Sequence, residues 1–192
     1  MRIVFMGTPD FAVGSLQALC ESGKHEILAV VTQPDRPKGR GNKLLQTPVK
    51  EYALAQGLTV YQPQKVKTPE FVELLHELQP ELIVVAAFGQ FLSKEILELP
   101  KYGCINVHAS LLPKYRGAAP IQYAIIKGEK ESGVTIMQMD IGMDTGAMLD
   151  KVVVPIEENT TMGELHDALR EQGAALLLQV IDKIAAGTAA AE

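Results

Sequence analysis

The chain has 192 residues and is 47% hydrophobic, which fits a globular protein with one compact domain. Its net charge of −5 argues against indiscriminate nucleic-acid binding, and no apolar stretch approaches the roughly 20 residues needed to cross a bilayer. Cys20 and Cys104 lack metal-ligand spacing. Because no export signal is visible, we expect a cytoplasmic protein with both thiols reduced.

Strand and helix signals alternate along the chain and predict an α/β fold. The expected architecture is a Rossmann-like, mostly parallel sheet with helices on both faces, because its strands are apolar throughout. Buried strands are predicted at residues 2–6, 27–32, 82–87 and 104–109, followed by two later strands at residues 134–139 and 148–154.

Threonine–proline pairs indicate where three of the helices begin. Threonine can cap a helix, and proline fits a first turn in which its missing N–H costs nothing. These pairs are Thr8–Pro9, Thr47–Pro48 and Thr68–Pro69. A last long helix is predicted after Thr161, with Glu164 completing a capping box and Gly187 ending it.

A long polar segment, residues 33–47, separates the second strand from the helix at Pro48. Its prolines and glycines predict a loop without regular structure: Pro34, Pro37, Gly39 and Gly41. It also carries four cations against the single carboxylate of Asp35: Arg36, Lys38, Arg40 and Lys43. From the residues alone, a solvated charged loop is the ordinary interpretation.

The strand at residues 104–109 ends in the most chemically suggestive segment. Alternation places Asn106, His108 and Ser110 on one side of the strand, just before a turn containing Pro113. An imidazole accepts protons near neutral pH, and an adjacent amide can stabilise developing oxyanion charge. This pairing suits acyl-type transfer to an amine, although one histidine at a strand end is more often structural.

Several ordered motifs extend this segment and resemble a known family. Asn106, His108, the turn at residues 110–113, Arg116–Gly117 and Asp144 are similar to the signature of the formyl-tetrahydrofolate-dependent formyltransferases. The segments Gly7-Thr8-Pro9-Asp10-Phe11 and Gln33 to Gly41 resemble the branch of that family that acts on methionyl-tRNA. The resemblance covers essentially the whole chain.

The resemblance implies a division of catalytic labour among three residues. Asn106 would donate to the formyl oxygen, His108 would accept or relay the proton, and Asp144 would orient His108. Without the family pattern, Asp144 could equally be part of an ordinary turn. No metal is expected. The other histidines, His25, His76 and His166, are expected to be solvent-facing structural residues.

The same resemblance implies a site for the cosubstrate 10-formyltetrahydrofolate beside these residues. The expected folate-binding residues are Ser110, Leu111, Leu112, Pro113, Phe88, Phe91, Leu92, Met137, Gln138 and Asp140. Apolar cover of this kind is usual for cofactor pockets. From the residues alone, however, the two phenylalanines fit ordinary core packing better.

Methionyl-initiator-tRNA is the acceptor that the resemblance implies, in translation initiation. The basic loop would reach the tRNA acceptor end through Arg36, Lys38, Arg40 and Lys43. We expect a monomer that binds neither DNA nor membranes. Residues 1–187 are predicted to form the catalytic domain and residues 188–192 to start a linker, with the family's C-terminal β-barrel-like domain absent from this chain.

Four other functions are compatible with parts of this sequence. A folate-dependent formyltransferase acting on glycinamide ribonucleotide has about this length, but its Gly-rich turn is replaced here by Gly7-Thr8-Pro9-Asp10. Enzymes acting on amino-sugar nucleotides share the Asn-His-Asp pattern but lack the basic loop. A dinucleotide-binding module would need more glycines around Gly7. A non-catalytic fragment that only binds folate can be distinguished from the enzyme only by an assay of formyl transfer.

Overall fold

The computed structural model describes residues 1–38, 41, 43–112, 120–141 and 146–189, with the side chains of Lys38 and Tyr123 also left undescribed. The strands are β1 (Arg2–Gly7), β2 (Glu26–Val31), β3 (Arg36–Lys38), β4 (Lys43–Leu45), β5 (Val60–Tyr61), β6 (Leu82–Ala86), β7 (Cys104–His108), β8 (Glu131–Gln138) and β9 (Met148–Pro155). The helices are α1 (Asp10–Glu21), α2 (Pro48–Ala55), α3 (Pro69–Leu78), α4 (Lys94–Glu98), α5 (Pro120–Ile126) and α6 (Met162–Ala186).

A seven-stranded sheet in the order β5-β2-β1-β6-β7-β8-β9 forms the centre of the molecule. The strands from β5 to β7 pair in parallel, whereas β7–β8 and β8–β9 pair antiparallel. The predicted α/β, Rossmann-like and mostly parallel sheet is therefore confirmed.

Helices cover both faces of this sheet, as the apolar strands predicted. One core layer joins strand residues such as Ile3, Phe5 and Ile105 to residues of α1, α2 and α6. The other joins the alternate strand residues, such as Val4 and Ile83, to residues of α3 and α4. In the described part of the chain, no helix is long and apolar enough to cross a membrane.

The helix caps follow the sequence signals closely, with one exception. Thr47 and Thr68 cap α2 and α3 by accepting from backbone N–H groups, and Thr161 and Glu164 form the predicted capping box of α6. Thr8 does not cap α1, since Pro9 takes that position and the Thr8 hydroxyl donates to the Phe88 carbonyl at 2.8 Å.

The prediction that residues 33–47 lack regular structure is wrong. β3 and β4 form an antiparallel hairpin, called here the basic hairpin (residues 36–45), in which Pro37 faces Leu44. A two-stranded ribbon leaves half of each strand's N–H groups pointing outward, so it tolerates a proline. Gly41 supplies the left-handed turn conformation, with φ of +84°.

Besides the two strands of the hairpin, three short elements were not predicted: β5, α4 and α5. β5 has two residues, and α4 and α5 span less than two turns each, so neither periodicity nor capping gives a strong signal. β8 also begins three residues earlier than predicted, at Glu131. These elements are placed by the neighbours they pack against.

Candidate active site

The carboxyl ends of β1, β6 and β7 meet at one edge of the sheet. In open α/β sheets this edge is where ligands bind. Gly7 ends β1, Ala86 ends β6 and His108 ends β7. The polar residues predicted from the motif therefore lie where the fold class places a ligand site.

A cavity of about 580 Å³ opens at this edge. Seven of the predicted site residues line it: Asn106, His108, Phe88, Phe91, Leu92, Met137 and Asp140. The structure thus brings the amide and imidazole of β7 together with the apolar loop that follows β6. That size and the mixture of apolar walls with a few polar groups are typical of small-molecule sites.

Strand alternation around Asn106 and His108 is as predicted. Ile105, Val107 and Ala109 belong to the core layer formed with α1 and α6. His108 is only 7% exposed, and Asn106 is half-buried, so the two side chains reach the cavity from a rigid strand. Precise placement of reacting groups is easier from a strand than from a mobile loop.

The turn after His108 is held by a side chain of β8. Thr135 of β8, fully buried, donates to the Ser110 carbonyl at 2.7 Å and accepts from the Leu112 N–H at 3.2 Å. Ser110, Leu111 and Leu112 are not among the described residues that line the cavity. Their assignment to folate stays a prediction, and Thr135 is a supporting residue that the sequence analysis missed.

Gln138, the last residue of β8, ties the end of that strand to the start of β7. Its amide donates to the carbonyls of Tyr102 and Cys104 at 3.3 and 3.1 Å, so its side chain points at the β7 start and not into the cavity lining. The backbone carbonyl of Gln138 lies so close to Gly146 that a Cβ added at Gly146 would collide with it. The role of Gln138 in binding folate also stays a prediction.

The loop of residues 87–92 forms the apolar wall of the cavity. Ala87 and Gly89 both adopt positive φ, 50° and 97°, which gives the loop a sharply turned path. Phe88 and Leu92 are buried in the core, whereas Phe91 is 58% exposed at the cavity. The core interpretation therefore suits Phe88, while Phe91 is available to cover a flat ligand.

Four further cavity residues come from elements far from β7 in sequence and gave no signal: Ile121, Gln122, Ile141 and His166. Phe11 of the first motif and Gln90 of loop 87–92 also line the cavity. His166 was expected to face solvent, as exposed His76 does, but it contacts Phe11 edge-on with ring centroids 6.4 Å apart. Its Nε2 is 3.9 Å from Asp10 Oδ2. Only the packing of α6 on α1 brings it there.

Four of the predicted site positions fall outside what the structure describes. These are Asp144, Arg40, Pro113 and the side chain of Lys38, and Arg116 and Gly117 of the motif lie outside it as well. Among the four hairpin cations, the structure describes the side chains of Arg36 and Lys43, both on exposed strand positions.

Neither cysteine has the environment of a reactive thiol. Burial raises the pKa of the Cys104 thiol to about 12, and it also raises the pKa of Cys20. Within the described residues, no group of three or more His, Cys, Asp or Glu side chains could hold a metal ion.

Comparison with solved structures shows that this fold is shared. Glycinamide ribonucleotide transformylase 1 from Symbiobacterium toebii superimposes with a TM-score of 0.78, covering 97% of this chain and 88% of that one, at 20% identity. A sugar N-formyltransferase from a Shewanella species gives a TM-score of 0.74 over 100% and 72% of the two chains, at 23% identity.

Sequence relatives are much closer. A methionyl-tRNA formyltransferase from Clostridium botulinum is 59% identical over 98% of this chain, and one from Caldanaerobacter subterraneus is 60% identical over 97%. The chain spans about 60% of the length of these curated relatives. A family model described as formyl transferase matches residues 1–181. The chain therefore belongs to the formyl transferase family.

Proposed function

We propose that this chain transfers the formyl group of 10-formyltetrahydrofolate to the amino group of methionyl-initiator-tRNA. The observation that carries the proposal is the placement of Asn106 and His108, side by side on β7, in a cavity walled by the apolar loop 87–92. Relatives that are 54–60% identical bear the name methionyl-tRNA formyltransferase, which supports the choice of acceptor.

The proposed reaction needs one base and one oxyanion donor. The amine of the methionyl group attacks the formyl carbon, and a new C–N bond forms while negative charge develops on the formyl oxygen. Asn106 donates a hydrogen bond to that oxygen. His108 takes the proton from the attacking amine and returns it to N10 of the folate as the old C–N10 bond breaks. Asp144 is proposed to hold His108 in the required orientation.

The donor is proposed to lie along the wall formed by loop 87–92 and the end of β8. Phe91 and Met137 supply apolar surface for the flat pterin, while Asp140 and neighbouring backbone groups provide polar atoms for its edge. The structure of one relative in the same fold, a sugar 3N-formyl transferase, was determined in the presence of dTDP and 5-N-formyl-THF. Its 23% identity shows the fold, and the folate itself is part of the proposal.

The acceptor is proposed to approach over the basic hairpin. Arg36 and Lys43 are exposed on its two strands, beside Leu44 and Leu45, which are also exposed. Cations that neutralise phosphates supply much of the affinity for nucleic acid, and Lys38 and Arg40 would add to them. Since the acceptor belongs to translation, we place the reaction in the cytoplasm.

A direct assay separates this proposal from its nearest rival. The chain is supplied with 10-formyltetrahydrofolate and with either methionyl-initiator-tRNA or glycinamide ribonucleotide, and formyl transfer to each is measured. We expect transfer to the tRNA and none above background to the small amine. Transfer to glycinamide ribonucleotide alone would overturn the proposal, and folate binding without transfer to either would leave only a binding module.

A further inference from the structure

The basic hairpin and the cavity loop 87–92 are joined by a network of side-chain amides. Gln90 is the central member: its Nε2 donates to Gln33 Oε1 at 3.0 Å and to the Pro63 carbonyl at 3.2 Å. Its Oε1 accepts from the Val66 N–H at 2.9 Å. Gln90 also lines the cavity, so a ligand there lies against a side chain whose hydrogen-bonding groups are committed elsewhere.

Gln33 extends this network to residues 33–35, the segment directly before β3, which is called here the root of the hairpin. It lies three residues before the first hairpin strand, and its carbonyl accepts from Gln62 Nε2 at 3.1 Å. The Gln33 amide passes directly over Gly89, where an added Cβ would lie 2.7 Å from its Nε2. Gly89 therefore leaves the space that lets Gln33 reach Gln90.

An ion pair between Asp35 and Lys50 adds to this network beside the hairpin. Asp35, two residues after Gln33, accepts from Gln62 Nε2 at 2.7 Å and from Lys50 Nζ at 2.9 Å. Both members of the Asp35–Lys50 pair are mostly buried, so the pair is better shielded than the exposed ion pairs elsewhere on the surface. The root of β3 is thereby fixed to α2 as well as to Gln90.

The residues that follow β4 are also connected to loop 87–92 by hydrogen bonds. The hydroxyls of Thr47 and Thr32 are 2.7 Å apart, which closes the segment at its base. The Val49 N–H donates to the Thr8 carbonyl at 3.3 Å, and the Thr8 hydroxyl donates to Phe88. Both ends of the segment that bears the hairpin are thus tied to loop 87–92.

We propose that Gln33 and Gln90 are positioning residues that couple occupancy of the cavity to the orientation of the basic hairpin. A folate packed against loop 87–92 would restrain Gln90, Gln90 would restrain Gln33, and the hairpin root would be held for tRNA. By linkage, each substrate then tightens the binding of the other by the same factor. The part concerning tRNA rests on the proposed function, whereas the coupling of cavity and hairpin does not.

The first test needs no tRNA. Amide hydrogen exchange of Lys43, Leu44 and Leu45 is measured with and without 5-formyltetrahydrofolate as the non-reacting probe, at concentrations that saturate each protein. We expect the probe to slow hairpin exchange in the parent chain and to leave it unchanged in Gln33→Met and Gln90→Met, which cannot form the amide pair. Gln64→Met is the matched control, because Gln64 is exposed in the same region and takes no part in these hydrogen bonds.

The second test measures the coupling itself. The affinity of methionyl-tRNA is determined with and without the probe, and we expect the probe to tighten it by about fivefold or more in the parent and in Gln64→Met. Each network variant should reduce that factor towards one, and the double variant should lose no more than either single variant.

The outcomes are distinguishable. If tRNA does not bind but the probe slows hairpin exchange only when the amide pair is intact, the proposed acceptor is wrong and the coupling stands. If tRNA binds and the probe leaves hairpin exchange unchanged in the parent, the coupling is overturned. Equal protection of the hairpin in the parent and in both network variants would overturn it as well.

Discussion

The end of β7 and the basic hairpin are built in opposite ways. At β7, His108 is nearly buried, and the turn that follows it is held by the fully buried Thr135 of β8, the strand paired with β7. The hairpin has two three-residue strands, and its leucines, Leu44 and Leu45, are 66% and 47% exposed. The first region is preorganised by packing, whereas the described contacts of the second with the rest of the chain are concentrated in the residues that flank it.

This difference matches the work that each region is proposed to do. Chemistry between small groups loses rate steeply when a reacting group is misplaced, so a rigid strand end is favourable. Binding a long polyanion depends on the number of charge contacts and tolerates adjustment of each one. Substitutions at β7 should therefore affect turnover, and substitutions in the hairpin should affect the affinity of the acceptor.

The largest effect is expected at His108. His108→Ala should lower kcat by at least about 100-fold, because a positioned base contributes 10²–10⁴ in rate. Asp144→Ala should fall in the same range if Asp144 orients the imidazole. Steady-state formyl transfer is the measurement, with folate binding followed separately and expected to be largely intact.

His76→Ala provides the control, since His76 is an exposed histidine on α3. Activity of His108→Ala within tenfold of the parent would rule out its role as the base. A parallel loss of folate binding would instead indicate that His108 is chiefly part of the cavity wall.

The sequence allowed the preorganised region to be predicted better than the exposed one. Buried strands are continuous apolar runs, and Thr47, Thr68 and Thr161 carry local capping signals, so the sheet and most helix starts follow from short segments. The hairpin was missed because its prolines and glycines favour loops locally, while the pairing of Arg36 with Leu45 spans nine residues of chain.

In the candidate site, too, the arrangement within one strand could be predicted, whereas contacts between elements distant in sequence could not. Asn106 and His108 belong to one strand, so alternation alone put them on one side. His166 and Thr135 reach the region only through the packing of α6 and the antiparallel pairing of β8, and no local pattern reports either contact. The amides of Gln33 and Gln90 are 57 residues apart and meet only in the folded chain.

The next effect tests how the turn after β7 is held. Thr135→Val keeps the side-chain shape but leaves the Leu112 N–H and the Ser110 carbonyl buried without this partner. We expect the free energy of unfolding to fall by about 1–3 kcal/mol, the usual cost of such groups. Urea denaturation measures it, and kcat should fall as well because the turn directly follows His108.

Thr59→Val is the matched control, because Thr59 is exposed and its side chain takes part in none of these hydrogen bonds. Equal stability of the two valine variants would show that the turn is held by packing and not by Thr135.

A smaller effect is expected when charge is removed from the hairpin. If all four cations contact phosphates, the log–log dependence of tRNA affinity on salt has a slope from this hairpin no steeper than about −4. Replacing Arg36 and Lys43 by alanine should make the measured slope shallower by about two and leave folate binding unchanged. Arg40→Ala should act in the same direction.

Lys24→Ala is the control for charge alone. Lys24 lies beside the amino-terminal end of β2, at the opposite edge of the sheet from the cavity, and its Nζ is 3.9 Å from Asp182. If Lys24→Ala changes the slope as much as a hairpin variant does, the hairpin has no special role in binding tRNA.

The smallest effect concerns the root of the hairpin and depends on pH. Hydrogen bonds from Lys50 and then from Gln62 lower the pKa of the Asp35 carboxyl below its ordinary value of 3.8. A carboxyl whose pKa is lower in the folded state stabilises the fold above its unfolded pKa, and this contribution is lost as the pH falls through the folded-state value. Asp35→Asn should therefore be less stable than the parent near neutral pH, and the difference should shrink as the pH falls below 3.8 and vanish only below the lowered pKa of the folded state.

Urea denaturation of the parent and Asp35→Asn across this range measures the difference, and hydrogen exchange at neutral pH shows whether the loss is confined to β3 and β4. Asp182→Asn is the control, because Asp182 is 59% exposed and its Oδ2 lies 3.9 Å from Lys24 Nζ, farther than Asp35 lies from Lys50. A stability difference for Asp35→Asn that is independent of pH would mean that the carboxylate is not what holds the root. The hairpin's orientation would then depend on the amides of Gln33 and Gln90 and on the hydrogen bonds of Thr32, Thr47 and Val49.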